Sequence, residues 1–345
     1  MKILKSKPYI IGETSFNHEG NLKYLYSMID DIAELELNAI KYHFLLNLDG
    51  YMTKDHPIYS DLKKWLFTKE EWTAILDYTI EKKLDIVALC NDIDSVKFIL
   101  SRDIVNAIEI HSTGLNDYLL LDELAEFQGK IILGVGGSSI DEIDSSINYL
   151  KDLGKDDIML MYGFQNYPTN YENINLSKMI KLKDLFGLPI GYADHTAFNE
   201  PFNETISIMG AIMGIPILEK HYTLNYGEKR VDFESAVGKE QMQKIKNMME
   251  MTLLVYGDES LKMSNNEIMY GNTGPMKKAI IARHNIKKGE QLSKNNLCFK
   301  RTKNQSYIKQ NDFTKLIGLE TSDDIQEDEV IDYKKVKYEF KPLPK

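Results

Sequence analysis

The chain has 345 residues, 43% of them hydrophobic and 27% charged, with a formal net charge of −10. That balance excludes a disordered chain, argues against a general nucleic-acid binder, and suits one large barrel with a small appendage. Two cysteines make no disulfide framework, the basic start has no signal-peptide core, and no run nears the roughly 18 apolar residues of a membrane helix, so a cytoplasmic protein is expected.

From Tyr9 onward, short apolar runs alternate with longer helix-like stretches. The runs predict strands at Tyr9–Thr14, Ala39–Phe44, Asp85–Cys90, Ala107–Ser112, Lys130–Val135, Ile158–Gly163, Leu188–Ala193 and Ile215–Lys220. Helices are expected between them, as at Leu22–Leu37, Glu70–Lys83, Ser95–Leu100, Tyr118–Phe127 and Ile140–Leu153. Eight such units predict a (β/α)8 TIM barrel, with a doubly wound sheet as the runner-up. The barrel is expected over 1–262, a linker rich in Asn and Gly over 263–275, a small β-rich domain over 276–338 and a loose tail over 339–345. Within the small domain, Ile286-Lys-Lys-Gly-Glu-Gln-Leu and Ile325-Gln-Glu-Asp-Glu-Val-Ile share a pattern that suggests an internal duplication.

Barrel chemistry sits at the carboxyl ends of the strands. The stretch from Leu188 to Thr223 reads as strand, helix, strand, and each strand ends in a histidine, His195 and His221. Two imidazoles at neighbouring strand ends can share one divalent metal ion, or each can be a satisfied polar residue. Lys41 and His43 share one face of the second strand, and the fourth supplies Glu109, His111 and Ser112. Five of the seven histidines, at 18, 43, 111, 195 and 221, thus fall near one rim. Ser139 with Glu142 fits a helix capping box, although free amides there could also hold an anion. Asp232, in the loop after the eighth strand, could bind polyol hydroxyls or simply face solvent.

Glu13 with Asn17-His18-Glu19-Gly20, Tyr167-Pro168-Thr169, Asp194-His195-Thr196, Glu219-Lys220-His221-Tyr222-Thr223 and the Ile-Lys-Lys-Gly-Glu block followed by Lys300-Arg301 resemble the sialic acid synthase family. That family joins a TIM barrel to an antifreeze-like (SAF) domain, and the resemblance runs from Tyr9 to about Val336. It implies a synthase that condenses phosphoenolpyruvate with an N-acyl amino sugar to give a nonulosonic acid. It also implies Mn2+ or Mg2+ on His195 and His221, Glu13 as general base and Lys41 against the phosphoenolpyruvate anion. Tyr167, Asp232 and Arg301 would hold the sugar, Arg301 from the second subunit of a domain-swapped homodimer. His43, Glu109, His111, Ser112, Gln165 and Glu219 complete the expected substrate-binding set.

The departures cluster where the family grips phosphate. His43 stands where Gln is usual, Glu109 where a lysine is usual, Gln165 where Asn is usual, and Cys90, Gly134 and Ala193 replace hydroxyl-bearing residues. Two other readings therefore stay open. One is a metal-dependent lyase or isomerase that uses no phosphoenolpyruvate; the other is a barrel that binds a sugar or a partner without catalysis.

Overall fold

A computed structural model describes residues 8–338 apart from positions 165, 167, 258 and 259. The chain divides into two compact units, Met1–Asp258 and Glu259–Lys345. The first is a closed parallel barrel with the strands in sequence order: β1 (Tyr9–Glu13), β2 (Ala39–Phe44), β3 (Asp85–Cys90), β4 (Ala107–Ile110), β5 (Lys130–Gly134), β6 (Ile158–Tyr162), β7 (Ile190–Asp194) and β8 (Ile217–His221). All eight expected strands form, and the (β/α)8 barrel stands over the doubly wound sheet.

The strand ends differ from expectation for local reasons. β4 stops at Ile110 because His111 caps a 3-10 turn at Ser112–Gly114. β7 and β8 begin after Pro189 and Pro216, which have no N–H for the ladder, and then run one residue further than expected. The two proline carbonyls still serve it, accepting from Leu160 N and Tyr9 N at 2.9 Å each. The Ser139–Glu142 capping box forms at the start of the helix Ile140–Asp152.

Burial on both faces explains why the strands read as continuous apolar runs. One face of the sheet packs against the helices, while Ile11, Val87, Ala107, Ile132, Met159 and Met161 belong to a separate apolar cluster inside the barrel. At the carboxyl side, Gly163 has φ +147°, and a Cβ there would stand 1.9 Å from the Ala193 carbonyl oxygen. The ends of β6 and β7 can approach this closely only because position 163 has no side chain. The connection from β2 to β3 is an insertion with two short helices, Leu48–Tyr51 and Tyr59–Trp65, ahead of Lys69–Glu81. Neither short helix is long enough to betray a period in the sequence.

In the second unit, β9 (Ala279–Ala282) pairs antiparallel with β10 (Leu297–Lys300). The duplicated blocks pair with each other, as Ile286 and Ile325 exchange N–H···O bonds of 2.8 and 2.9 Å. Asn285 Oδ1 accepts from Glu327 N and Asp324 Oδ1 from Lys288 N, both at 2.8 Å, so each block caps the other's turn. Ile286, Leu292, Ile325 and Ile331 are buried in the small core. The segment read as a linker holds a helix, Asn265–Tyr270, because Ser264 and Glu267 form a capping box. The tail expected to be loose lies outside the described residues.

Candidate metal centre and substrate cavity

Parallel register brings the expected residues to one level of the barrel. Glu13 is paired with Lys41 on β2 and with His221 on β8, while Glu109 lies at the end of β4 and Glu219 faces Ala193 between β8 and β7. They line a cavity of about 340 Å3 together with His43, His111, Ser112 and His195.

Lys41 is the hub of this level. Its Nζ lies 2.7 Å from Glu219 Oε1, 2.9 Å from Glu109 Oε1 and 3.4 Å from Glu13 Oε1, with the lysine and all three carboxylates buried. Burial alone would lower the lysine, yet Glu109, Glu13 and Glu219 together hold its pKa above the usual range. One ammonium cannot balance three carboxylates. Burial pushes the Glu219 carboxyl well up against the pull of Lys41, and repulsion from Glu13 and Glu109 adds to the rise. Glu109 is raised by burial as well. Glu13 goes the other way: against its burial, His221 and Lys41 hold it well below the carboxylate range. Glu109 Oε2 and Glu219 Oε2 are buried without a hydrogen-bond partner. Glu109, which stands where the family usually has a lysine, is not left as an isolated charge, because its Oε1 pairs with Lys41.

Beside this clasp sit the imidazoles of His195 and His221. Glu13, His195 and His221 each offer one ligand atom, and the three lie within 4.8 Å of one another. The His195 and His221 rings are 5.1 Å apart between centroids, and Glu13 Oε2 lies 3.3 Å from His221 Nε2. His195 Nδ1 is buried with no hydrogen-bond partner, and burial followed by the neighbouring His221 pushes its pKa down to about 3. The neutral imidazole of His195, the ring of His221 and an ionised carboxylate together match the donor set a divalent ion requires, so the residues fit a metal. Beside the two histidines expected from the sequence, Glu13 joins the set that could hold an ion. On its other side, Glu13 Oε1 lies 2.7 Å from His43 Nε2.

The other expected residues divide. His111 and Thr113 line this cavity and also a neighbouring one of about 330 Å3, bounded by Tyr51, Met52 and His56 of the insertion after β2. No sequence signal pointed to those three. Asp232, at φ +60°, bonds to Ser15 and joins the loops after β1 and β8, which Arg230 and Glu19 also tie at 3.1 Å. Arg301 belongs to the second unit, where its guanidinium donates to the Pro275 carbonyl oxygen. Gln165 and Tyr167 lie outside the described residues.

His18 is not in the cavity. Its ring stacks on Phe67 at 4.7 Å, Nδ1 accepts from Gly20 N at 3.1 Å, and burial lowers its pKa from 6.5 to about 3. An unfolded chain protonates this ring below about pH 6.5, whereas the folded barrel resists until about pH 3. Stability from this group is therefore complete above the unfolded value and lost as pH falls through that window, at no more than about 1.4 kcal/mol per pH unit. Urea unfolding followed from pH 7 to pH 4.5 is expected to show a falling midpoint, and His18→Gln a shallower fall. Equal slopes would remove His18 from the account.

Comparison with known proteins agrees with this architecture. The NeuB family profile matches residues 37–260 and the SAF domain profile residues 277–337. An uncharacterised protein of Methanocaldococcus jannaschii is 28% identical over 86% of each chain. An N,N'-diacetyllegionaminic acid synthase of Campylobacter jejuni is 27% identical over 94% of this chain and 99% of its own. Among solved structures, the N-acetylneuraminic acid synthetase of Leptospira borgpetersenii superposes with a TM-score of 0.70 at 25% identity, over 76% of this chain and 90% of that one.

Proposed function

The chain belongs to the NeuB family, and on that premise we propose that its barrel is a metal-dependent synthase joining phosphoenolpyruvate to an N-acyl amino sugar. The product is a sialic-acid-like nonulosonic acid. The observation that carries this reading is the meeting of Glu13, His195 and His221 within 4.8 Å at the mouth of a closed barrel. A divalent ion held there would polarise the sugar aldehyde, and the imidazole pair favours Mn2+ over Mg2+.

In the reaction, C3 of phosphoenolpyruvate forms the new bond to the aldehyde carbon and the aldehyde oxygen gains a proton. Water adds at C2, and phosphate leaves. Glu13 is ionised, so His43 Nε2–H donates to its Oε1. A proton taken from the attacking water can pass to this Glu13–His43 pair. Lys41 orients the anionic donor, and Asp232 and Tyr167 meet the sugar. Arg301 closes the site from a partner subunit of a domain-swapped homodimer. A cytoplasmic location goes with this reading; no helix among the described residues is long and apolar enough to cross a membrane.

One observation favours a second reading. Lys41 is the one Lys or Arg among the described residues lining the cavity, and three carboxylates already hold it. A donor without phosphate, such as the enolate of a 2-oxo acid, would fit that charge better. It would add to the aldehyde with transfer of one proton and no leaving group. The deciding experiment incubates the purified full chain with Mn2+, an N-acyl amino sugar, and either phosphoenolpyruvate or pyruvate. Phosphate release that needs both phosphoenolpyruvate and the sugar is the expected result. A nonulosonate formed from pyruvate establishes the second reading. Sugar binding that survives loss of both His195 and His221, with no turnover, leaves a binding barrel.

A further inference from the structure

We propose that Asp194 and Lys220 are positioning residues that hold His195 and His221 at the spacing of a metal cradle. The inference rests on the reading that Glu13, His195 and His221 bind a divalent ion. Asp194 directly precedes His195, Lys220 directly precedes His221, and the two are register partners across β7 and β8. Because strand side chains alternate, a pair preceding the histidines occupies the opposite face of the sheet from the cavity. There Lys220 Nζ lies 2.7 Å from Asp194 Oδ2, and neither side chain has any solvent exposure.

The carboxylate is fully engaged. Oδ1 accepts from Thr196 N at 2.9 Å, Thr196 Oγ1 at 2.6 Å and Tyr192 OH at 3.1 Å, while Oδ2 also accepts from Ser207 Oγ at 2.5 Å. Lys220 Nζ makes a second, longer contact of 3.4 Å to the Thr196 carbonyl oxygen. Asn203 Nδ2 donates to that oxygen and to Ala197 O, at 3.0 and 2.7 Å. The backbone on both sides of His195 is therefore fastened to β8 and to the helix Asn203–Ile212.

Such fastening matters because the ring of His195 lacks an anchor of its own. Metal-bound histidines are usually oriented by a hydrogen bond from the second ring nitrogen. With Nε2 turned to the ion, that second nitrogen is Nδ1, which has no hydrogen-bond partner. The ring can take its direction only from packing and from its main chain, and the main chain is what Asp194 and Lys220 tie down. A buried ion pair is a poor device for stability alone, since apolar residues of similar volume commonly serve as well. Its contribution here is geometric.

The test compares the wild-type full chain with Asp194→Asn/Lys220→Met, which removes both charges together and strands neither. Mn2+ affinity is read by isothermal calorimetry and folding by the melting temperature of the metal-free protein. The expected result is affinity weakened about 10- to 100-fold with little change in melting temperature. Should the double variant fail to fold, Ser207→Ala removes one strut, and its affinity is expected to fall about threefold. Wild-type affinity in whichever variant folds overturns the inference while leaving the metal site intact. If the wild-type chain itself binds no Mn2+, Zn2+ or Fe2+, the metal reading fails first and the positioning role falls with it.

Discussion

Replacing His221 with alanine is expected to weaken Mn2+ binding by at least about 100-fold and to take turnover below detection. Changes to residues that merely orient a ligand cost about 10- to 100-fold, so loss of a ligand should cost more. The substitution removes one of three donors and also the ring that lies 3.3 Å from Glu13 Oε2. His221 and Lys41 are what hold Glu13 ionised against its own burial. Without the imidazole, the third donor becomes easier to protonate, and metal binding suffers twice. His111→Ala is the control, because His111 lines the same cavity but stands outside the donor trio. Calorimetry with Mn2+ on both variants decides the matter. Equal affinity for His221→Ala and wild type would show that the ion, if bound at all, lies elsewhere.

The barrel could be read from the sequence because a parallel strand buried on both faces must be apolar throughout. Eight such runs at even spacing admit few other folds. Strand ends were less legible, since Pro189, Pro216 and the His111 cap act locally and leave the hydrophobic pattern unchanged. The histidine pair was visible as two strand ends of the same kind. Its carboxylate partner, Glu13, was expected as a general base from the family resemblance; its place beside the histidines comes from closing the barrel, which pairs Glu13 with His221 across 208 positions (221 − 13) of chain. The clasp around Lys41 was hidden for the same reason: Glu109 and Glu219 reach it from β4 and β8. The Asp194–Lys220 pair did leave a sequence signal, an acid and a base each one residue before a strand-end histidine. Only the register turns that coincidence into a contact. In the second unit, the repeated Ile-x-x-x-Glu pattern carried the duplication, and the two isoleucines that define it pair directly.

Glu109→Lys is expected to tighten phosphoenolpyruvate binding by about tenfold or more without unfolding the barrel. At present one ammonium faces three buried carboxylates, two of which keep an oxygen without a partner. The substitution leaves two ammonium groups and two carboxylates, so the interior charge becomes balanced. At an effective dielectric of about 20, a unit charge pair about 4 Å apart is worth roughly 4 kcal/mol, and turning repulsion into attraction doubles the nominal swing. Solvation and relaxation remove most of that, yet a remainder of only about 1.4 kcal/mol is tenfold in affinity. Glu109→Gln, neutral and of similar shape, should fall between. Titration of the three proteins with phosphoenolpyruvate should therefore rank Lys above Gln above Glu. The reverse order would mean that the Glu109 carboxylate accepts from a hydroxyl-bearing ligand, and the phosphate-free reading would then become the better account of this cavity.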